Sequence, residues 1–69
     1  MKQIILKYLN GSIRNKYYIN NLNQLNDLFI CYCNNGNIYS KINYLNDKPF
    51  GLHNWYDNNS KPTKIEYHL

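Results

Sequence analysis

The chain has no alanine and no valine, two cysteines, two prolines, three glycines and only four acidic residues. Each shortage closes off a class of protein. Two cysteines cannot build the disulfide framework of a small secreted domain. Met1–Leu9 offers only Ile4-Ile5-Leu6 as an apolar run, too little for a secretion signal, and no later stretch approaches the length of a membrane span. The expectation is an intracellular, cytoplasmic chain without a membrane span. In such a chain Asn10-Gly11-Ser12 and Asn58-Asn59-Ser60 match the glycosylation sequon by chance. The glycines are single turn residues, so there is no loop to cradle a phosphate.

What the chain does have is asparagine at fourteen positions, and tyrosine and isoleucine at eight each. Together with lysine these residues carry the codon bias of an AT-rich genome, which explains most of the asparagines better than a function at each. Asparagine tolerates left-handed backbone, so the bias costs little in turns. The low charge fraction of 17%, the 16% of aromatic residues and the alternating pattern exclude a disordered chain. Net charge is +4, carried by Lys2, Lys7, Arg14, Lys16, Lys41, Lys48, Lys61 and Lys64 without any run. A scattered excess of this kind is solvated surface, whereas a nucleic-acid footprint gathers on one face.

Sixty-nine residues make one small domain, residues 1–69. In a chain this short, apolar burial barely offsets the entropy of ordering, and an open sheet buries less than a globule. A lone monomer is therefore expected to be marginal, with a homodimer or a larger partner covering a sheet face.

A turn signal recurs at the spacing of about one hairpin. It reads Tyr8-Leu9-Asn10-Gly11, then Tyr32-Cys33-Asn34-Asn35-Gly36, then Tyr56-Asp57-Asn58-Asn59-Ser60. A basic alternating segment follows each copy. Strands are predicted at Lys2–Leu9, Ser12–Ile19, Leu28–Cys33, Asn37–Leu45, Leu52–Asp57 and Thr63–Leu69. Asn10-Gly11 is predicted as a two-residue type I′ turn. Asn20–Asp27 reads as a loop that folds Leu22 and Leu25 onto the sheet, or as one short helical turn. Asn46–Gly51, with Pro49, reads as a second loop. If the turn at Asn34-Asn35-Gly36 is type I with Gly36 left-handed, Leu28, Ile30, Tyr32, Ile38, Ile42 and Tyr44 share a face. Phe29, Cys31, Cys33, Tyr39 and Lys41 then take the other. The resulting fold class is all-β: an antiparallel β-hairpin repeat meander of about six short strands in an open single sheet.

Tyr32, Asn35, Gly36, Ile38, Lys41, Ile42, Tyr44, Gly51, Leu52, Trp55, Tyr56 and Asn59 fall at the spacing of a known repeat. The chain resembles the MORN-type repeat proteins, in the degenerate variant common in bacteria and giant viruses. Three positions depart from the pattern. Asp27 stands where a loop glycine precedes Leu28, Ser60 replaces the turn glycine, and Pro62 replaces an aliphatic residue. Atypical terminal units of this kind are what capping of a repeat array produces, and sequence drift produces the same pattern. The resemblance implies a row of β-hairpins that docks proteins or, in some members, membrane lipids. It implies no catalytic residue.

The chemistry-bearing residues point the same way. Cys31 and Cys33 with His53 and His68 add up to Cys₂His₂, but zinc sites usually draw two cysteines from a turn and two closely spaced histidines. No metal and no cofactor is expected, and the cysteines read as reduced, half-buried thiols. The histidines sit in no motif with a nucleophile, and Asp27, Asp47 and Asp57 all fall at turns, so neither an enzyme nor a small-molecule substrate is expected. The signal lies in the aromatic residues. Tyr18, Phe29, Tyr39 and Trp55, interleaved with Lys16, Lys41 and His53, are predicted to form one face opposite the aliphatic one, and aromatic residues dominate binding hot spots. The expected binding residues are Tyr18, Phe29, Tyr39, Lys41, His53 and Trp55. The expected function is a non-enzymatic protein-interaction module, a virus- or phage-encoded binder or inhibitor of a larger host protein, or one that binds itself. The alternative is a small basic RNA- or DNA-binding protein that uses the same Tyr/Trp/Lys face.

Overall fold

The computed structural model describes residues 1–69. Six strands, β1 (Lys2–Lys7), β2 (Ile13–Ile19), β3 (Asp27–Tyr32), β4 (Ile38–Leu45), β5 (Lys48–Tyr56) and β6 (Pro62–His68), follow one another in space as in sequence. Every neighbouring pair is antiparallel. This is the all-β hairpin meander expected from the repeat, in one open sheet. There is no helix, and so none long and apolar enough to cross a membrane. The molecule measures 33 × 28 × 12 Å. A thickness of 12 Å fits a single twisted sheet, because a second layer would add about 10 Å.

The repeat is visible in the turns. Hairpins β1–β2, β3–β4 and β5–β6 share one five-residue loop. The amide of its first residue donates to the carbonyl four residues on: Tyr8 to Ser12 at 2.8 Å, Cys33 to Asn37 at 2.6 Å and Asp57 to Lys61 at 2.9 Å. The amide of the fourth residue, Gly11, Gly36 or Ser60, returns to the first carbonyl at 3.0 Å in each case. That fourth residue has φ of 90°, 91° and 64°. A one-residue bulge follows in every copy: Lys7 pairs with Ile13 but Leu6 with Asn15, Tyr32 with Ile38 but Cys31 with Ser40, Tyr56 with Pro62 but Trp55 with Lys64. Arg14, Tyr39 and Thr63 are the extra residues, and each bulge kinks its strand and increases the local twist.

Of Asn10 and Gly11 only Gly11 has positive φ, so the first turn is the longer loop and not type I′. The two consecutive positive φ values that a type I′ turn requires occur at Asn46 (50°) and Asp47 (71°). That tight turn joins β4 directly to β5, so the segment read as a loop belongs to a strand beginning at Lys48. Pro49 is tolerated because it pairs with Tyr44 on one side only, β6 pairing starting at Gly51. Leu22 does not fold back. It is exposed at a turn braced by Asn20, whose side-chain oxygen accepts from the Leu22 and Gln24 amides.

Register fixes which residues share a face. Ile4, Leu6, Tyr17, Phe29, Cys31, Ser40, Ile42, His53, Trp55, Lys64 and Glu66 lie on the first face, and Ile5, Lys16, Tyr18, Leu28, Ile30, Lys41, Leu52, Ile65 and Tyr67 on the second. The bulge at Tyr39 slips β4 by one, so Ile42 aligns with Phe29 and Lys41 with Ile30. The predicted partition of β3 and β4 into an aliphatic and an aromatic face is therefore mixed. Only Ile30, Ile42 and Ser40 fall below a tenth exposed, all on the two central strands. Ile30 is flanked by Lys16 and Lys41 on the two neighbouring strands, and the alkyl stems of lysines are well suited to cover such a residue.

Asparagine side chains stitch the loops along both rims. On one rim Asn10 Nδ2 donates to Asn34 Oδ1 at 2.8 Å, and Asn37 Nδ2 to the Asn58 carbonyl at 2.8 Å. On the other, Asn20 Nδ2 donates to Asn46 Oδ1 at 3.3 Å, and the Asp47 amide to the Leu25 carbonyl at 2.9 Å.

Candidate functional site

The first face carries a ridge of rings that crosses the strands. Tyr17 on β2 stacks on Phe29 of β3 with centroids 4.8 Å apart and planes 10° from parallel. Phe29 meets Tyr44 of β4 edge-on at 5.9 Å. Ile42 continues the line to His53 on β5, its cross-strand partner. His53 stacks on Trp55 two residues along the same strand, with centroids 3.5 Å apart. Lys64, paired with Trp55 from β6, places its ammonium 4.7 Å from the indole centroid and 3.4 Å from Glu66 Oε2. Offset stacks and edge contacts stabilise such pairs beyond the area they bury.

Below the ridge, Ser40 Oγ and His53 Nε2 share a hydrogen bond of 3.0 Å. Sequence spacing gave no sign of this pairing, because the two residues meet only through the β4–β5 register. Ser40 is 6% exposed in mid-strand and presents little of its hydroxyl to a substrate. Desolvation pushes the His53 pKa below its ordinary value, and the nearby His68 and Lys64 lower it further against the opposing pull of Glu66.

Of the six expected binding residues, Phe29, His53 and Trp55 stand on this ridge. Tyr18 and Lys41 stand on the opposite face, Tyr18 accepting a bond from Gln3 Nε2 at 3.1 Å and Lys41 paired with Ile30. Tyr39 is the bulged residue of the second hairpin. Its phenol pKa is raised, first by burial and then by Cys31 beside it, with Tyr8 and Cys33 adding to the effect. Tyr17, Tyr44 and Ile42 belong to the ridge, although the sequence pattern put Tyr44 and Ile42 with the aliphatic residues. A longer hairpin loop with a left-handed glycine carries a bulge, and that rule applied to Gly36 would have moved them. The basic side chains are divided as well, with Lys64 and Lys2 on the first face and Lys16 and Lys41 on the second.

Cys31 and Cys33 are free thiols. The Cys31 Sγ accepts from Asn15 Nδ2 at 3.2 Å, and Cys33 lies near Asn58 on the rim. The histidines do not gather with them: His53 and His68 converge instead with Glu66. No family model, curated protein or solved structure matches this chain.

Proposed function

We propose that the chain is a non-enzymatic docking module built of MORN-like hairpin repeats, and that it binds a larger protein through the ridge on its first face. One observation carries this reading. A single sheet without a second layer leaves Tyr17, Phe29, Tyr44 and Trp55 partly exposed on one face, the first three held by contacts among themselves and Trp55 by its stack on His53. Rigid aromatic side chains lose little entropy when a partner covers them, which is why they dominate protein interfaces. A virus- or phage-encoded binder of a host protein fits the AT-rich composition. The nucleic-acid alternative has less support, because Lys64 is already engaged by Glu66 and the other basic residues do not gather on the ridge.

The test compares immobilised wild-type chain with Tyr17→Ala and Trp55→Ala on the ridge and Tyr67→Ala on the opposite face. Proteins retained by wild type and Tyr67→Ala but lost from both ridge variants support the assignment. Equal retention by all four places the docking surface elsewhere. Binding that collapses between about 50 and 200 mM salt identifies nucleic acid as the ligand.

A further inference from the structure

We propose that His53, Glu66 and His68 form a binding site for a divalent transition-metal ion, zinc in the first place, on the first face at the β5–β6 end of the sheet. Their ligating atoms all lie within 4.8 Å of one another. The antiparallel register makes this cluster. His53 pairs directly with Glu66, and His68 follows Glu66 by two residues on the same strand, so all three side chains rise from one face. The fourth corner of this two-by-two array is Gly51, the cross-strand partner of His68, which puts no side chain into the space. A Cβ built there meets no atom within 4 Å.

A second observation points to a missing ligand. The Nε2 of His68 is buried and has no hydrogen-bond partner. Glu66 Oε1 is 3.6 Å away, beyond hydrogen-bond length. Tetrahedral coordination of zinc needs donors roughly 3.4 Å apart, so small rotations of three side chains close the site. His53 is oriented from behind. With its Nε2–H donating to Ser40 Oγ, the Nδ1 lone pair is left for the metal, the usual arrangement in which a partner outside the ligand set fixes the tautomer. Glu66 divides its two oxygens, Oε2 toward Lys64 and Oε1 toward His68. Two imidazoles with one carboxylate suit zinc, cobalt, nickel and copper, and do not suit magnesium or calcium, which want oxygen donors. The remaining coordination position is open to water or to a donor from a bound partner.

The experiment uses untagged full-length chain titrated with Zn²⁺ by calorimetry, and with Co²⁺ and Ni²⁺ by fluorescence. Trp55 is the only tryptophan and its ring stacks on His53, so a paramagnetic ion in the site quenches it. The expected result is one ion per chain, quenching of Trp55, and shifts of the ring protons of both histidines. Glu66→Gln and His68→Asn should each weaken binding about tenfold or more, at least the loss that follows from removing an outer partner of a ligand. Cys31→Ser/Cys33→Ser should leave the affinity unchanged. Unaltered binding in Glu66→Gln or His68→Asn overturns the proposal, as does loss of binding in the cysteine variant or the absence of any saturable heat. Circular dichroism of each variant separates lost ligands from lost fold, and the histidine shifts on wild type decide the matter should a variant unfold.

Discussion

Gly11, Gly36 and Ser60 occupy the same place in three hairpins, and all three have the left-handed backbone that a side chain resists. Gly36→Ala should cost about 1 kcal/mol. The added Cβ meets nothing within 4 Å, so the loss reports backbone strain alone. Ser60→Gly should stabilise by about 0.5 kcal/mol, because relief of strain exceeds the extra freedom of the unfolded chain. Urea titrations of the two variants check both signs. At Tyr39 the phenol is raised above its ordinary value of 10.0, so the folded chain holds that proton more tightly than the unfolded one. The resulting stability is fully present below pH 10 and is lost as pH rises through that value toward the raised one. Melting temperatures between pH 9 and about 11 should fall more steeply in wild type than in Tyr39→Phe. Most asparagines could be placed in turns from sequence. Their pairing across neighbouring loops could not, because Asn10 and Asn34 meet only once the hairpins lie side by side.

Among the seams between strands, the one joining the first hairpin to the second is the shortest. Only Asn15–Cys31 and Lys16–Ile30 pair there, with one isolated bridge between Ile19 and Leu25. The Tyr17–Phe29 stack and the Asn10–Asn34 bond supply much of the rest. Phe29→Ala should cost about 2–3 kcal/mol, below the roughly 3–5 kcal/mol of a fully buried aromatic truncation because the ring is only half-buried. The loss should concentrate on this seam. Hydrogen exchange should speed up in β1 and β2 by a larger factor than in β4 to β6, and uniform acceleration would show that the sheet opens as one unit. Strand number and order were legible from alternation and from turn residues. Face assignment beyond each bulge was not, since a one-residue slip sends every later side chain to the other side. Phe29, His53 and Trp55 do share one face, as the pattern placed them, while Lys41 and Tyr44 were exchanged between faces.

For the molecule as a whole, thinness and open edges set the expected behaviour. Both edge strands, β1 and β6, have a free side, and large apolar side chains such as Leu52, Ile65 and Tyr67 stand exposed on the second face. Light scattering at micromolar concentration should detect association, and the melting temperature should rise with protein concentration. A concentration-independent transition above about 60 °C would instead mark a self-sufficient monomer, at the upper end of ordinary mesophile domains. The identical loops carry a last consequence. Gly11 to Gly36 spans 25 residues and Gly36 to Ser60 spans 24. A second copy of residues 33–56 inserted after Tyr56 would bring its own turn, bulge and tight Asn-Asp connection, and would leave every existing strand pair except β5–β6 untouched. The sheet would widen by two strands, about 10 Å. A gene encoding such a chain can therefore grow by tandem copying, and the breadth of surface it offers becomes a matter of copy number.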